Sequence, residues 1–512
     1  MEKYFDLEKL KKVLIYTFIF GIIAHGFMYF NSAFTHDSLY GIVGIPEIDE
    51  MNISIGRFMI PLYLKLRGYV ASPALIGFLG LAFIAFSSYL IIDILGFKNK
   101  VAIIIICGIL VVNYSVTVTN ATYINDSDPY YLSLLLSVLG LYLIKKSGNK
   151  LKWLGILPLV ICIGLYQAYF QVPVFLLMIM ALLQVVKGEN TREVIKENLI
   201  IIAYLFTSVV VYYIMYKASL AITGIAVGKG YNAIPELSKY FEIDTIVNYF
   251  RYMLSVEGRW FLGKNHHHAQ IVLIINILFA VMAIASIVYL SKKNRISRNS
   301  IILLIVIVLL MPVGINFIGF LSEMYEHEVM TYSFFLFYPL VFILLEEANN
   351  VADKKIVFNI SGVVTLLCSL FLLLSSVTYS NEMYLEKELI VTSTNSLMTR
   401  VIDRIEQTEG YELGKTPVVF IGSPVSSNFN FYRSGFLNTA EATNVYHSIT
   451  YYQTYEAYFN EYLGYPINLL TIVDEYEYAE YEEVKAMPNF PAKGSVAFVG
   501  DTLVVKFHWG ED

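Results

Sequence analysis

Long apolar runs, each closed by charges, Gly or Pro, dominate the chain up to about residue 380. A bilayer core is crossed by roughly 20 apolar residues in helical form, so each run of about that length is read as a span. About eleven such runs occur, near 12–31, 72–94, 101–118, 129–144, 153–168, 172–187, 198–216, 270–291, 300–320, 331–346 and 357–379. The fifth and sixth are short and are separated only by Gln167-Ala168-Tyr169-Phe170-Gln171. The distribution of basic residues decides whether they count as one or two. With the N-terminus inside, the inner loops receive Lys9, Lys11 and Lys12, then Lys98 and Lys100, then Lys145 and Lys146, then Lys187, Arg192 and Lys196, then Lys292 and Lys293, then Lys354 and Lys355. The short outer loops near 119–128, 167–171 and 321–330 carry no Lys or Arg. Cytoplasmic loops are the basic ones. Merging spans five and six would invert the pattern after residue 187, so the reading keeps two spans there, with the N-terminus in and the C-terminus out.

Beyond residue 380 the pattern changes to shorter elements. A helix is predicted over 391–409, an apolar strand over 417–421, a Tyr-rich helix over 450–463 and a short strand over 468–473. A closing hairpin, 495–499 with 502–507, turns on Gly500-Asp501, a two-residue connection suited to a tight turn. The expected fold is therefore mainly α: a polytopic transmembrane helical bundle over 1–380, with a small extracytoplasmic α/β domain over 381–512.

Composition agrees with this reading. The chain has 512 residues, 57% hydrophobic and 15% charged, with a mean hydropathy of +0.60, too apolar for a soluble protein to cover its surface. Cys107, Cys162 and Cys368 all fall inside apolar runs, which excludes a disulfide framework or a CxxC metal site. The net charge of −6, with basic residues scattered among short loops, argues against nucleic acid as a partner and leaves membrane lipid as the surroundings. The first apolar stretch lacks a small-residue cleavage pattern and is read as a span, not a signal peptide.

The polar residues suited to chemistry lie in the outer loops. The first loop carries His36-Asp37 directly after the first span, then Gly56-Arg57, and closes on an interfacial stretch, 58–70, with Lys65 and Arg67. An Asp can remove a proton from a sugar hydroxyl, and an Arg can hold a phosphate by two parallel hydrogen bonds. A solvated loop would carry the same residue types. Asp126-Ser127-Asp128-Pro129 reads equally as a DxD site for a divalent ion or as a helix N-terminus favouring anions. Glu323 and Glu326 add acids between spans nine and ten, and Tyr166 and Gln167 either line a sugar site or anchor at the interface. Arg259 and Lys264 suit a phosphate or lipid headgroup. The adjacent His266, His267 and His268 do not have the spacing to share one metal on a helix. The spans are nearly free of charge apart from Asp93, which lowers a flippase or transporter relative to an enzyme.

Several segments in order, Thr35-His36-Asp37, Gly56-Arg57, Asp126 with Tyr130-Tyr131-Leu132-Ser133, Gly164-Leu165-Tyr166-Gln167-Ala168-Tyr169 and Met487-Pro488 through Gly494-Ser495, resemble the type II O-antigen glucosyltransferases, the serotype-converting Gtr group. The resemblance implies a C-type glycosyltransferase fold, a polyprenyl-phosphate-linked sugar donor, and a surface polysaccharide or its lipid-linked precursor as acceptor, on the outer side of the cytoplasmic membrane. Where that family has two adjacent acids in the first loop, this chain has His36-Asp37, leaving Asp37 as the acid there. The expected activity is transfer of glucose or a related hexose, with Asp37 as general base beside His36. Arg57, with Arg259 or Lys264, meets the donor phosphate. No Gly-rich nucleotide loop is present, and a divalent metal stays open. The alternatives are a polysaccharide polymerase or ligase using a lipid-diphosphate donor, and a lipid-linked-oligosaccharide flippase.

Overall fold

The computed structural model describes the chain except residues 1–5, 32–33, 36–37, 40–48, 147–150, 229–241, 264–267, 322–326, 353–354, 423, 425–453 and 509–512; of 320–321 and 355–359 only the backbone is described. Two compact units result. One comprises residues up to Tyr29, 46–120 and 126–381; the other comprises 30–45, 121–125 and 382–512.

The first unit is a bundle of apolar helices. Among the described residues nine are long and apolar enough to cross a membrane: Leu7–Phe30, Pro73–Leu95, Lys100–Thr122, Ile124–Lys146, Gln167–Val186, Thr191–Thr223, Ala269–Lys293, Arg298–Ile315 and Ile360–Glu406. The remaining two expected spans form shorter helices. The run at 153–168 gives Lys152–Leu165, and that at 331–346 gives the 14-residue Phe337–Asn350 behind two 3₁₀ turns. Breaks fall where a polar or extended residue interrupts the ladder. Asn113 leaves the helix at Val112, and its carboxamide oxygen accepts from Val116 N–H at 3.1 Å, starting the next turn. Tyr166 is extended (φ −156°) between Ile156–Leu165 and the 3₁₀ turn Gln167–Phe170.

Because lipid provides no hydrophobic drive between helices, polar side chains and small residues join them. Asn120, fully buried, donates through Nδ2 to the Tyr29 hydroxyl at 3.0 Å and accepts from the Tyr131 hydroxyl at 2.9 Å, linking three spans. Thr117, in the same span as Asn120, shares a hydrogen bond of 2.7 Å with Ser380 of a fourth.

One helix, Lys355–Glu406, runs for 52 residues, about 78 Å at 1.5 Å per residue, where a span ending near 379 and a separate helix over 391–409 are predicted. The intervening Asn381-Glu382-Met383-Tyr384-Leu385-Glu386-Lys387-Glu388 has neither Gly nor Pro and is rich in helix-forming residues, so nothing in it ends the helix.

The second unit is built on a four-stranded sheet of order β2-β1-β4-β3, with β1 Pro417–Ile421, β2 Asn468–Leu469, β3 Val496–Val499 and β4 Thr502–Lys506. β1 pairs parallel with both neighbours, and β3 and β4 form the expected hairpin, Val499 opposite Thr502. The predicted strand 468–473 stops at Leu469 because Thr471 and Asp474 form a capping box that starts helix Ile472–Ala479. Alternation along β1 covers both faces. Val418 and Phe420 pack with Leu397, Met398, Val401 and Ile405 of the long helix, while Val419 and Ile421 pack with Val484 on the other side. The Lys506 ammonium closes helix Glu482–Ala486 by donating to the carbonyls of Val484, Lys485 and Met487 at 2.7–2.9 Å.

Candidate functional site

In the bundle unit the chain from Asp49 to Arg67 supplies the polar cluster. Asp49 caps the short helix Glu50–Ser54 by accepting from Asn52 N–H at 3.0 Å. Gly56 then takes φ +85°, a conformation that costs a residue with a Cβ, and the chain reverses into Arg57. Three successive carbonyls of this turn are held by side chains from elsewhere. Tyr216 donates its hydroxyl to Ser54 O (2.6 Å), Gln167 its amide to Ile55 O (2.9 Å) and Tyr212 its hydroxyl to Gly56 O (3.1 Å). Met59 N–H bonds to Gly164 O at 3.0 Å, and a Cβ at Gly164 would stand 2.7 Å from Met59 Cγ, so only glycine permits that approach.

Arg57 is set on an aromatic platform. The rings of Tyr130 and Tyr166 stack at 4.1 Å, and the guanidinium lies 4.8 Å from the Tyr166 centroid and 5.9 Å from that of Tyr130. Its contacts include Gln167 Oε1 and the Tyr130 hydroxyl, each at 3.4 Å. These contacts with neutral groups orient the guanidinium, a planar fork of the kind that meets phosphate oxygens by paired hydrogen bonds.

Helix Ile60–Leu66 starts with Pro61 in its first turn and presents Tyr63 and Arg67, four residues apart, to Asp128. Arg67 forms an ion pair with Asp128 Oδ1, and the Tyr63 hydroxyl donates to Oδ2 at 2.6 Å; the side chains of Arg67 and Asp128 are 5% and 0% exposed. Burial, reinforced by the Asp128 carboxylate, raises the Tyr63 phenol well above its ordinary range, so it acts as a neutral donor.

The two acids of Asp126-Ser127-Asp128 thus have different surroundings. Asp128 has both oxygens engaged. Asp126, in the first turn of helix Ile124–Lys146, is partly exposed, has neither hydrogen bond nor ion pair among the described residues, and feels the charges of Arg67, Asp49 and Arg57. A DxD metal site needs both carboxylates, and Asp128 is committed to a guanidinium and a phenol. Among the described residues no group of three His, Cys, Asp or Glu is placed to hold a metal ion. The helix-start reading holds for Asp126 alone, in the first turn of Ile124–Lys146; Asp128 and Pro129, its fifth and sixth residues, lie inside the helix, which begins earlier than the sequence suggested.

Of the residues singled out from sequence, Arg57, Asp126, Asp128, Tyr166 and Gln167 therefore come together. Tyr166 is buried against Arg57, which does not fit an interfacial anchor. Arg259 is exposed at the end of helix Ile243–Phe261, and no described hydrogen bond or ion pair joins it to this cluster. His36, Asp37, Lys264, Glu323 and Glu326 lie outside the described residues. The neighbours of His36-Asp37 are described: Thr35 and Ser38 cap each other reciprocally, Thr35 Oγ1 donates to Thr122 O at 2.7 Å, and Asn125 Nδ2 donates to Ser38 O at 2.7 Å. Sequence reading missed Tyr63, Tyr212 and Tyr216 and took Arg67 only as an interfacial cation. The spacing of four between Tyr63 and Arg67, and between Tyr212 and Tyr216, was the available signal.

A bundle of apolar helices with a buried cluster of Arg, Asp and Tyr defines a polytopic membrane protein with a polar, anion-suited site. Against known proteins, the Glucosyl transferase GtrII family matches residues 26–345, more than half of the chain and all of this cluster. The chain belongs to the GtrII glucosyl transferase family, which with its apolar helical bundle makes it a membrane glycosyltransferase. The match ends before the long helix and the sheet unit, so the Met487–Ser495 segment is outside it. No curated protein and no solved structure matches the chain.

Proposed function

We propose that the protein moves glucose or a related hexose from a polyprenyl-phosphate carrier to a hydroxyl of a surface polysaccharide or its lipid-linked precursor, at the outer face of the cytoplasmic membrane. Asp37 takes the proton from the acceptor hydroxyl as its oxygen attacks the anomeric carbon. The bond from that carbon to the phosphate oxygen breaks, and polyprenyl phosphate leaves with the bonding pair, inverting the anomeric centre. Arg57 meets the growing phosphate charge, with Arg259 or Lys264 as a second cation. The observation that carries this reading is the Arg57 platform, a guanidinium oriented by Tyr130, Tyr166 and Gln167 beside the Asp126 carboxylate, within a glucosyl transferase family.

Arg57→Lys keeps the charge and loses the planar fork. Charge-assisted hydrogen bonds are worth about 1.5–3 kcal/mol, so transfer from polyprenyl-phosphate-glucose by the purified protein in nanodiscs is expected to fall about ten- to a hundredfold. An unchanged rate would assign Arg57 to structure.

Orientation follows from the basic inner loops. A reporter fused after Lys355 is expected in the cytoplasm and one fused after Asn381 outside. Both on the same side would contradict the outward-facing site.

A further inference from the structure

Helix Ile243–Phe261, between two spans, carries three distinct rows at helical spacing. Tyr249, Met253 and Val256 are buried against the bundle. Asp244, Asn248, Arg251, Ser255 and Arg259 form an exposed polar row. Ile243, Val247, Phe250 and Leu254 form a third row that is apolar and yet 78%, 42%, 44% and 62% exposed. The exposed rows lie about a third of a turn apart, so the helix presents two unlike faces side by side.

Two hydrogen bonds fix its depth. The Tyr249 hydroxyl donates to the carbonyl of Asn316, the residue that ends span Arg298–Ile315, at 2.8 Å. At the other end, Asn276 Nδ2 donates to Phe261 O at 2.9 Å. Asn276 lies seven residues into span Ala269–Lys293, about 10 Å along its axis from the first residue. The helix is therefore tied at its seventh residue to the end of one span and at its last residue about 10 Å inside another, and both those span ends belong to the same side of the bundle.

We propose that helix Ile243–Phe261 lies in the membrane boundary, with the row Ile243, Val247, Phe250 and Leu254 immersed in the acyl chains of the adjoining leaflet, Arg251 at its phosphate headgroups and the long Arg259 side chain reaching out toward them. The occupant of this apolar face is bilayer lipid, because the anchoring hydrogen bonds hold the helix between the end of one span and about 10 Å inside another, within one leaflet. The cationic side chains of the neighbouring row complement lipid phosphates. Trp260, packed edge-on to Phe334, Phe335 and Phe337 at 5.7–6.0 Å, adds an aromatic anchor at that level. Glu257 lies on the seam between the buried and apolar rows. Burial pushes its carboxyl up to about 8, so it is mostly uncharged at neutral pH, as lipid contact requires. This placement stands apart from the assignment of donor and acceptor. It also puts Arg259 where lipid-borne phosphates travel.

The test uses the full-length protein in nanodiscs, with single cysteines at 247, 250, 254, 248 or 255 carrying a small fluorophore. Cys368 is replaced by Ala, and the buried Cys107 and Cys162 are kept. Labels at 247, 250 and 254 are expected to be quenched about fivefold more by nitroxide-bearing lipid than by aqueous iodide, and those at 248 and 255 to show the reverse preference. Iodide quenching of the apolar row would overturn the proposal by placing the helix in water. Protection of that row from both quenchers would overturn it too, by showing a protein partner or second copy on this face.

Discussion

Asp37→Asn is expected to collapse turnover about a hundred- to ten-thousandfold, the usual loss when general-base help is removed, while expression and donor binding stay near those of the parent protein. The carboxamide keeps the shape and hydrogen-bonding reach of the carboxylate but cannot take the acceptor proton. Asp37→Glu is expected to fall between the two, because it retains a base displaced by about one bond length, and misplacement removes much of the advantage of a positioned group. His36→Ala is expected to be milder, since His36 orients the acid in this scheme. The reciprocal capping of Thr35 and Ser38, and their bonds to Thr122 and Asn125, tie down the chain on each side of this pair. The measurement is transfer from polyprenyl-phosphate-glucose, with donor binding followed in parallel. If Asp37→Asn turns over within a few-fold of the parent, the base lies elsewhere, and the partly exposed Asp126 is the first replacement.

The second large effect is on stability. Arg67→Met leaves the fully buried Asp128 carboxylate with only the Tyr63 hydroxyl among the described residues, and breaking a buried ion pair from one side costs about 3–5 kcal/mol. A marked drop in melting temperature of the purified protein in detergent is expected. Replacing both partners, Arg67→Met with Asp128→Leu, is expected to recover much of the loss, because no charge is then left buried alone. Asp126→Asn, which disturbs no hydrogen bond or ion pair among the described residues, is expected to melt near the parent while transfer changes. Equal melting of Arg67→Met and the parent would show that the pair does not hold helix Ile60–Leu66 to helix Ile124–Lys146.

The membrane bundle was legible from sequence because a bilayer demands uniform apolar runs, and each expected run does contain a helix. The number of full-length spans was less legible. Whether Lys152–Leu165 or Phe337–Asn350 is long enough depends on where the ladder breaks, and the breaks at Asn113 and Tyr166 come from local backbone choices that hydropathy does not record. The unbroken helix Lys355–Glu406 was missed for a related reason. Polar residues after 380 mark the end of an apolar run, which says nothing about the end of a helix. In the sheet unit, strands β1 and β4 and the Gly500-Asp501 turn were readable from alternation and turn chemistry, whereas the capping box at Thr471 cut short the expected second strand.

In the site, Arg57, Asp126, Tyr166 and Gln167 were visible as polar residues gathered in the predicted outer loops. The distinction between Asp126 and Asp128 was not, because it depends on Arg67 and Tyr63 arriving from a segment about 60 residues earlier. Tyr212 and Tyr216 were hidden by their place in a span, where Tyr reads as an interfacial anchor until the carbonyls of Ser54 and Gly56 are seen to accept from them.

The most direct measurement is donor specificity of the purified, full-length protein in nanodiscs. Polyprenyl-phosphate-glucose, a polyprenyl-diphosphate sugar and a nucleotide sugar are offered separately with the same acceptor glycan, and the anomeric configuration of any product is determined. Transfer from the monophosphate donor alone, with inversion, is the expected result. Turnover from the diphosphate or nucleotide donor in its place, or retention of configuration, would contradict single-step displacement from a polyprenyl phosphate.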